Sequence, residues 1–159
     1  MEYSQRMTIE NYVKAMLRAD DVSLPPRKRG CYSVWAADFN GTEPQSSDGN
    51  NIVLVGKTEG RQEEGSLLYR VSGLVLDAIG ITGEGTLPGT SHSYFHKGGR
   101  DIFLNYGNEE ARKLLITWCD DVCPSCEEHR IYTMFQGGSQ LLNEQRVGPC
   151  RNPQHRRVS

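Results

Sequence analysis

Leu67, Val71, Leu74, Val75, Ala78 and Ile79 follow Ser66 at intervals that draw them onto one face of a helix, with a side-chain cap at its start. Such a face must be covered, and the chain supplies the cover on both sides of it. Cys31 to Ala37 (Cys-Tyr-Ser-Val-Trp-Ala-Ala) reads as a strand and Asn51 to Val55 as another, joined by a loop rich in glycine, serine, aspartate and asparagine. This is a hairpin with a long connection. Downstream, the sequence predicts a helix over Tyr94 to Tyr106, an apolar strand over Lys113 to Cys119, and a helix from Glu127 to Phe135 that ends at Gly137-Gly138. The order β-β-α-α-β-α predicts a small α+β sheet layered with helices. Ahead of it, Ile9, Val13, Met16 and Leu17 predict an amphipathic helix over Thr8 to Arg18, closed by Leu24-Pro25-Pro26.

At 159 residues the chain fits one domain with terminal extensions. Its 18 Lys+Arg against 20 Asp+Glu give a formal charge of -2, which argues against a histone-like basic coat. Basic character is local: Arg27-Lys28-Arg29, and a tail after Glu144 with four arginines (Arg146, Arg151, Arg156, Arg157) and no acid. Each patch suits phosphates or plain solvation. No run is apolar enough to predict a membrane span, and Met1 to Leu24 mixes charges with apolar residues instead of building a signal-peptide core. The expectation is a cytoplasmic protein without membrane contact. Five cysteines, an odd number, favour reduced thiols or metal ligands over a disulfide framework.

Three residues carry chemistry on their own pattern. Arg70 falls about 100° from the centre of its helix's apolar stripe, where a long side chain reaches a cleft or simply meets solvent. Glu128 shares a face with Ile131, Tyr132 and Phe135, whereas Glu127 is expected to face elsewhere. A carboxylate on an inward stripe should bind a metal or pair with an arginine. Tyr32, between Cys31 and Ser33, reads by itself as a core or edge tyrosine.

Gly30-Cys31-Tyr32 followed by Leu54-Val55-Gly56-Lys57-Thr58 resembles the two-strand signature of GIY-YIG endonucleases. Arg70 in Leu67-Leu68-Tyr69-Arg70 resembles the family's helix arginine, Glu128 its metal-binding glutamate, and Asn143 in Leu141-Leu142-Asn143 its closing asparagine. His96-Lys97-Gly98-Gly99-Arg100 is similar to a His-x-Gly-Gly block of some small members. The resemblance covers residues 30–144, leaving 1–29 as an N-terminal helix and basic linker and 145–159 as an arginine-rich tail. It implies a central three-stranded, mainly antiparallel sheet flanked by helices, and hydrolysis of DNA phosphodiesters. In the roles it implies, Glu128 holds one Mg2+ or Mn2+, Arg70 stabilises charge on the attacked phosphate, Tyr32 orients or deprotonates water, and Asn143 holds the site together. Lys57, His96 and Arg100 would contact DNA or support the site. The sequence departs from the signature at Leu54, where the family usually offers a tyrosine, so proton handling would fall on Tyr32. A rival reading follows from that departure: a nucleic-acid- or protein-binding module without turnover.

Cys123-Pro124-Ser125-Cys126 has separate readings. With Cys150 and His155 it forms a zinc-ligand set, C-x2-C, 23 intervening residues, then C-x4-H. A thioredoxin-like redox motif is the second reading, but only 33 residues follow Cys126, too few for the rest of that sheet. A zinc deaminase would need H-x-E and P-C-x-x-C, which the sequence lacks. Two thiols without a role are the bland alternative.

Overall fold

The computed structural model describes residues 3–36, 51–59, 65–81, 96–120, 122–135, 141–143 and 147–155. The strand β2 (Gly30–Trp35) lies at the centre of the sheet because both of its faces are apolar and both are covered by helices. On one edge it pairs antiparallel with β3 (Ile52–Thr58), setting Tyr32 opposite Gly56 and Val34 opposite Leu54. On the other it pairs antiparallel with β4 (Leu115–Cys119), setting Tyr32 opposite Trp118. A register shift after Val34 brings Trp35 opposite Ile52, so Val53 joins Leu54 on one side of the sheet. The loop and glycine pair expected at 38–50 and 137–138 lie outside the described residues, as do Ala37, the expected end of the first strand, and Tyr94 and Phe95.

Among the described residues the sheet has four strands, in the order β1-β4-β2-β3, and not the expected three. The added strand, β1 (Met7–Thr8), pairs antiparallel with Leu115 and Ile116. Two residues are too few to show alternation, which is why the pattern of the sequence gave no sign of it. Thr8 then caps α1 (Ile9–Leu17), accepting from the Asn11 N–H at 3.0 Å. The amphipathic helix expected ahead of the main fold therefore packs into it. Ile9 and Tyr12 belong to the central core, where the Tyr12 ring meets Trp118 edge to face at 6.1 Å and its hydroxyl bonds Ser72 at 2.8 Å.

Two helical layers sandwich the sheet. On one face α2 (Leu67–Ala78) and α3 (Lys97–Lys113) cover Tyr32, Val34, Leu54 and Ile116. On the other, α4 (Pro124–Phe135) covers Cys31, Val55 and Trp35, and Trp35 meets Phe135 edge to face at 5.7 Å. Ser66 caps α2 as the sequence implies, and the carbonyls of Pro26 and Lys28 accept the Leu68 and Leu67 N–H groups. The basic linker is thereby fastened to the start of the helix that carries Arg70. α3 outruns its expected end at Tyr106 and is interrupted at Gly107, whose φ of 76° is readily adopted only by glycine.

Gly56 lies beneath the Tyr32 ring. A Cβ there would stand 2.4 Å from the ring's Cζ and hydroxyl, while the ring is buried on all sides. Gly56→Ala should therefore destabilise the chain by about 1–3 kcal/mol, lowering the midpoint of thermal unfolding followed by circular dichroism.

Candidate functional site

At one end of the β2–β3 pair, the sheet and its helices enclose a cleft of about 1000 Å³. Tyr32 enters it from β2, Lys57 from β3, Arg70 from α2, His96 from the start of α3, Glu128 from α4, and Asn143 from the segment beside β3. Arg100, one turn further along α3 than His96, is not part of the lining. The cleft also takes in residues that sequence reasoning passed over, among them Glu59, Asp101 and Ser125. Five lining residues are basic (Arg29, Lys57, Arg70, Lys97, Arg151) and three acidic (Glu59, Asp101, Glu128), so a chain of net negative charge presents a locally positive recess. Of the tail arginines, Arg146, Arg156 and Arg157 lie outside the described residues.

His96 caps α3 in an uncommon way. Its Nδ1 accepts the Gly98 and Gly99 N–H groups at 3.0 and 3.4 Å, so the ring's single proton belongs on Nε2. That nitrogen lies 2.5 Å from the Tyr32 hydroxyl and donates to it. The His96 backbone N–H is in turn held by Asp77 Oδ2 of α2. Burial first, and then the Arg70 charge, lower the imidazole's pKa to about 3, so His96 is neutral at physiological pH. Burial pushes the Tyr32 phenol well above its ordinary value, with Arg70 opposing and Glu128 reinforcing the rise. Glycine suits positions 98 and 99 because added Cβ atoms would approach Leu54 to 2.7 Å and the Leu74 carbonyl to 2.4 Å. Leu54 is thus closed against α3 with only apolar atoms to offer.

Asn143 spends both halves of its amide on one residue: Oδ1 accepts the Val55 N–H at 3.0 Å and Nδ2 donates to the Val55 carbonyl at 2.9 Å. It holds the wall of the cleft in place. Lys57 bonds Ser125 Oγ at 2.6 Å and pairs with Glu59 at 3.2 Å, tying β3 to the first turn of α4.

The two adjacent glutamates of α4 behave differently, and one expectation is overturned. Glu127 does not face away; it is buried, on a stripe formed with Pro124, Ile131 and Phe135. Arg130 grips it through Nη2 and Nε, at 2.6 and 3.0 Å, and the Tyr3 hydroxyl donates to it from the N-terminal segment. One residue is 100° of helix, so a stripe centred a single position earlier than expected places Glu127 in the core and Glu128 at its border, in the cleft. Burial raises the Glu128 pKa from 4.5 to about 7, with Lys57 and Arg70 opposing and Glu59 reinforcing the shift.

Cys123, Cys126, Cys150 and His155 form a cluster whose ligand atoms all lie within 4.8 Å of one another and which could hold a metal ion. None of the cysteines is in a disulfide. Burial, and then hydrogen bonds and repulsion from Cys123 and Cys150, push the Cys126 thiol up to about 12. Cys31 and Cys119 are buried opposite each other in β2 and β4, away from the cluster. Comparison of the chain with protein-family models, with curated proteins and with solved structures finds no match.

The glutamates should respond oppositely to neutralisation. The folded pKa of Glu128 is raised, so between about pH 4.5 and 7 the folded chain holds more protons than the unfolded one. Stability falls as pH rises through that window, and the whole penalty is present above it. Glu128→Gln should stabilise the chain by about 1–3 kcal/mol at pH 8 and by almost nothing at pH 4. Glu127→Gln should cost about 2–4 kcal/mol at pH 8, because Arg130 and Tyr3 lose their charged partner. Denaturant unfolding of both variants at the two pH values measures each difference.

Proposed function

We propose that the chain is a metal-dependent endonuclease of the GIY-YIG type, hydrolysing phosphodiester bonds in DNA by cleavage or nicking. The observation that carries this reading is the convergence of Tyr32, Arg70 and Glu128, from three separate elements, on one locally basic cleft. Glu128 fits a divalent cation, since burial outweighs the two cationic side chains beside it and leaves the ionised carboxylate undercompensated. Mg2+ or Mn2+ held there would keep most of its waters and polarise a phosphate oxygen as a Lewis acid. Arg70, permanently charged, would meet the charge developing on the attacked phosphate. Tyr32 would take the proton of the attacking water. Once the Glu128 charge is compensated, one of the influences holding the phenol protonated is gone, while the Arg70 charge and the His96 donor favour the phenolate. His96, neutral and fixed by its cap, orients the phenol but takes no proton itself. Asn143 keeps the β3 wall in register.

A second reading is a nucleic-acid- or protein-binding module without turnover, and Leu54 favours it: where the signature has a tyrosine, this cleft has a buried apolar side chain. For the cysteine cluster we favour zinc, because thiolate and imidazole donors suit it and magnesium avoids them.

Nicking of supercoiled plasmid with magnesium or manganese separates the two readings. The nuclease reading expects Glu128→Gln and Arg70→Ala each to lower cleavage by about 10²-fold or more. It also expects Glu128→Gln to leave DNA binding intact or tighter, since a negative charge facing phosphate has gone. Protons compete with metal for Glu128, so wild-type cleavage at limiting metal should rise with pH through about 7. DNA binding with no cleavage by the wild-type chain would leave the binding module in place of the nuclease.

A further inference from the structure

The segment 147–152 forms one wall of the cleft, yet little in its own chemistry explains why it stays there. Its single 3-10 turn, Pro153–His155, buries no residue, and Gly148, Pro149 and Arg151 are exposed. Apolar burial is therefore a weak anchor. His129 of α4 contacts the Val147 carbonyl at 3.2 Å, and beyond that the tail meets α4 at the cysteine cluster.

Two spacings within the cluster are those of a tetrahedral metal site. Zinc binds sulfur at about 2.3 Å and imidazole nitrogen at about 2.0–2.1 Å, so tetrahedral geometry puts two sulfurs about 3.8 Å apart and a sulfur and a nitrogen about 3.6 Å apart. Cys123 Sγ and Cys150 Sγ are separated by 3.8 Å, and Cys150 Sγ and His155 Nδ1 by 3.5 Å. Three free thiols and an imidazole from two segments of chain have come within 4.8 Å of one another. At the head of α4, the backbone N–H groups of Cys126 and Ser125 are directed at Cys123 Sγ, which is how a turn supports a thiolate ligand.

We infer that Cys123, Cys126, Cys150 and His155 hold one structural zinc ion, and that this ion clasps the tail to the head of α4 and so builds the far wall of the cleft. The site is closed, with four protein ligands, and has no position for a substrate. Its metal is separate from any cation at Glu128, and the inference stands whether or not the cleft cuts DNA.

Full-length protein purified without added metal should contain close to one zinc per chain by elemental analysis. Replacing that zinc with cobalt(II) should give the visible bands of a tetrahedral ion together with thiolate-to-cobalt charge transfer. Trypsin provides the second readout, because Arg151 is exposed but lies between two ligands. Cleavage after Arg151 should accelerate at least about tenfold when zinc is removed by a strong chelator and slow again when zinc is restored. Cys150→Ser and His155→Ala change only the tail's ligands and should not unfold the sheet. Both should lose zinc and show the fast cleavage with or without chelator. Absence of zinc and of cobalt charge transfer, or a Cys123–Cys126 disulfide in the purified chain, would overturn the site. Bound zinc with tryptic cleavage indifferent to its removal would overturn the clasp.

Discussion

The hydrogen bond between the His96 imidazole and the Tyr32 hydroxyl joins parts of the chain that local sequence keeps apart. His96 stands at the start of α3, its backbone N–H is held by Asp77 of α2, and its Nδ1 accepts the first free N–H groups of α3. Only the proton on Nε2 is left for Tyr32 of the central strand. One side chain thus satisfies a helix terminus, sets its own tautomer and fixes a phenol that reaches the cleft. The glycines around it follow from that arrangement. Gly56 leaves room for the Tyr32 ring, and Gly98 and Gly99 let the first turn of α3 approach Leu54 and α2.

Glu127 and Glu128 show how little separates a clamped carboxylate from an open one. The first is buried and gripped by Arg130 and Tyr3; the second is less buried but lacks so close a clamp, and its proton is held more tightly than usual. Covalently adjacent groups meet unlike surroundings because a helix turns 100° between them. The buried pair holds α4 to the N-terminal segment, whereas the second glutamate costs stability above neutral pH.

Much of this was legible in the sequence. The apolar stripe of α2 and its Ser66 cap, the two strands of the hairpin and the strand ending at Cys119 are strong local patterns, and the structure places them within a few residues of the reading. What could not be read depended on distant partners. β1 is two residues long and exists because β4 offers it an edge. The inward turn of Glu127 depends on Arg130 and on Tyr3, the latter 124 residues away in sequence. The link from His96 to Tyr32 spans 64 residues, and nothing local to either residue announces it. Cys150 and His155 could be listed as ligands from their spacing, but only the fold brings them to Cys123 and Cys126.

β3 closes one side of the sheet, and an outermost strand offers its free amide and carbonyl groups to any other extended chain. Here the middle of that edge is already engaged: the Leu142 N–H bonds the Val53 carbonyl at 2.8 Å, and the Asn143 side chain takes both the N–H and the carbonyl of Val55. Residues 141–143 act as a plug of irregular backbone along the middle of β3. The side chain that keeps the cleft wall in register therefore also guards the protein against edge-to-edge aggregation, and a change at position 143 reaches colloidal behaviour as well as the cleft.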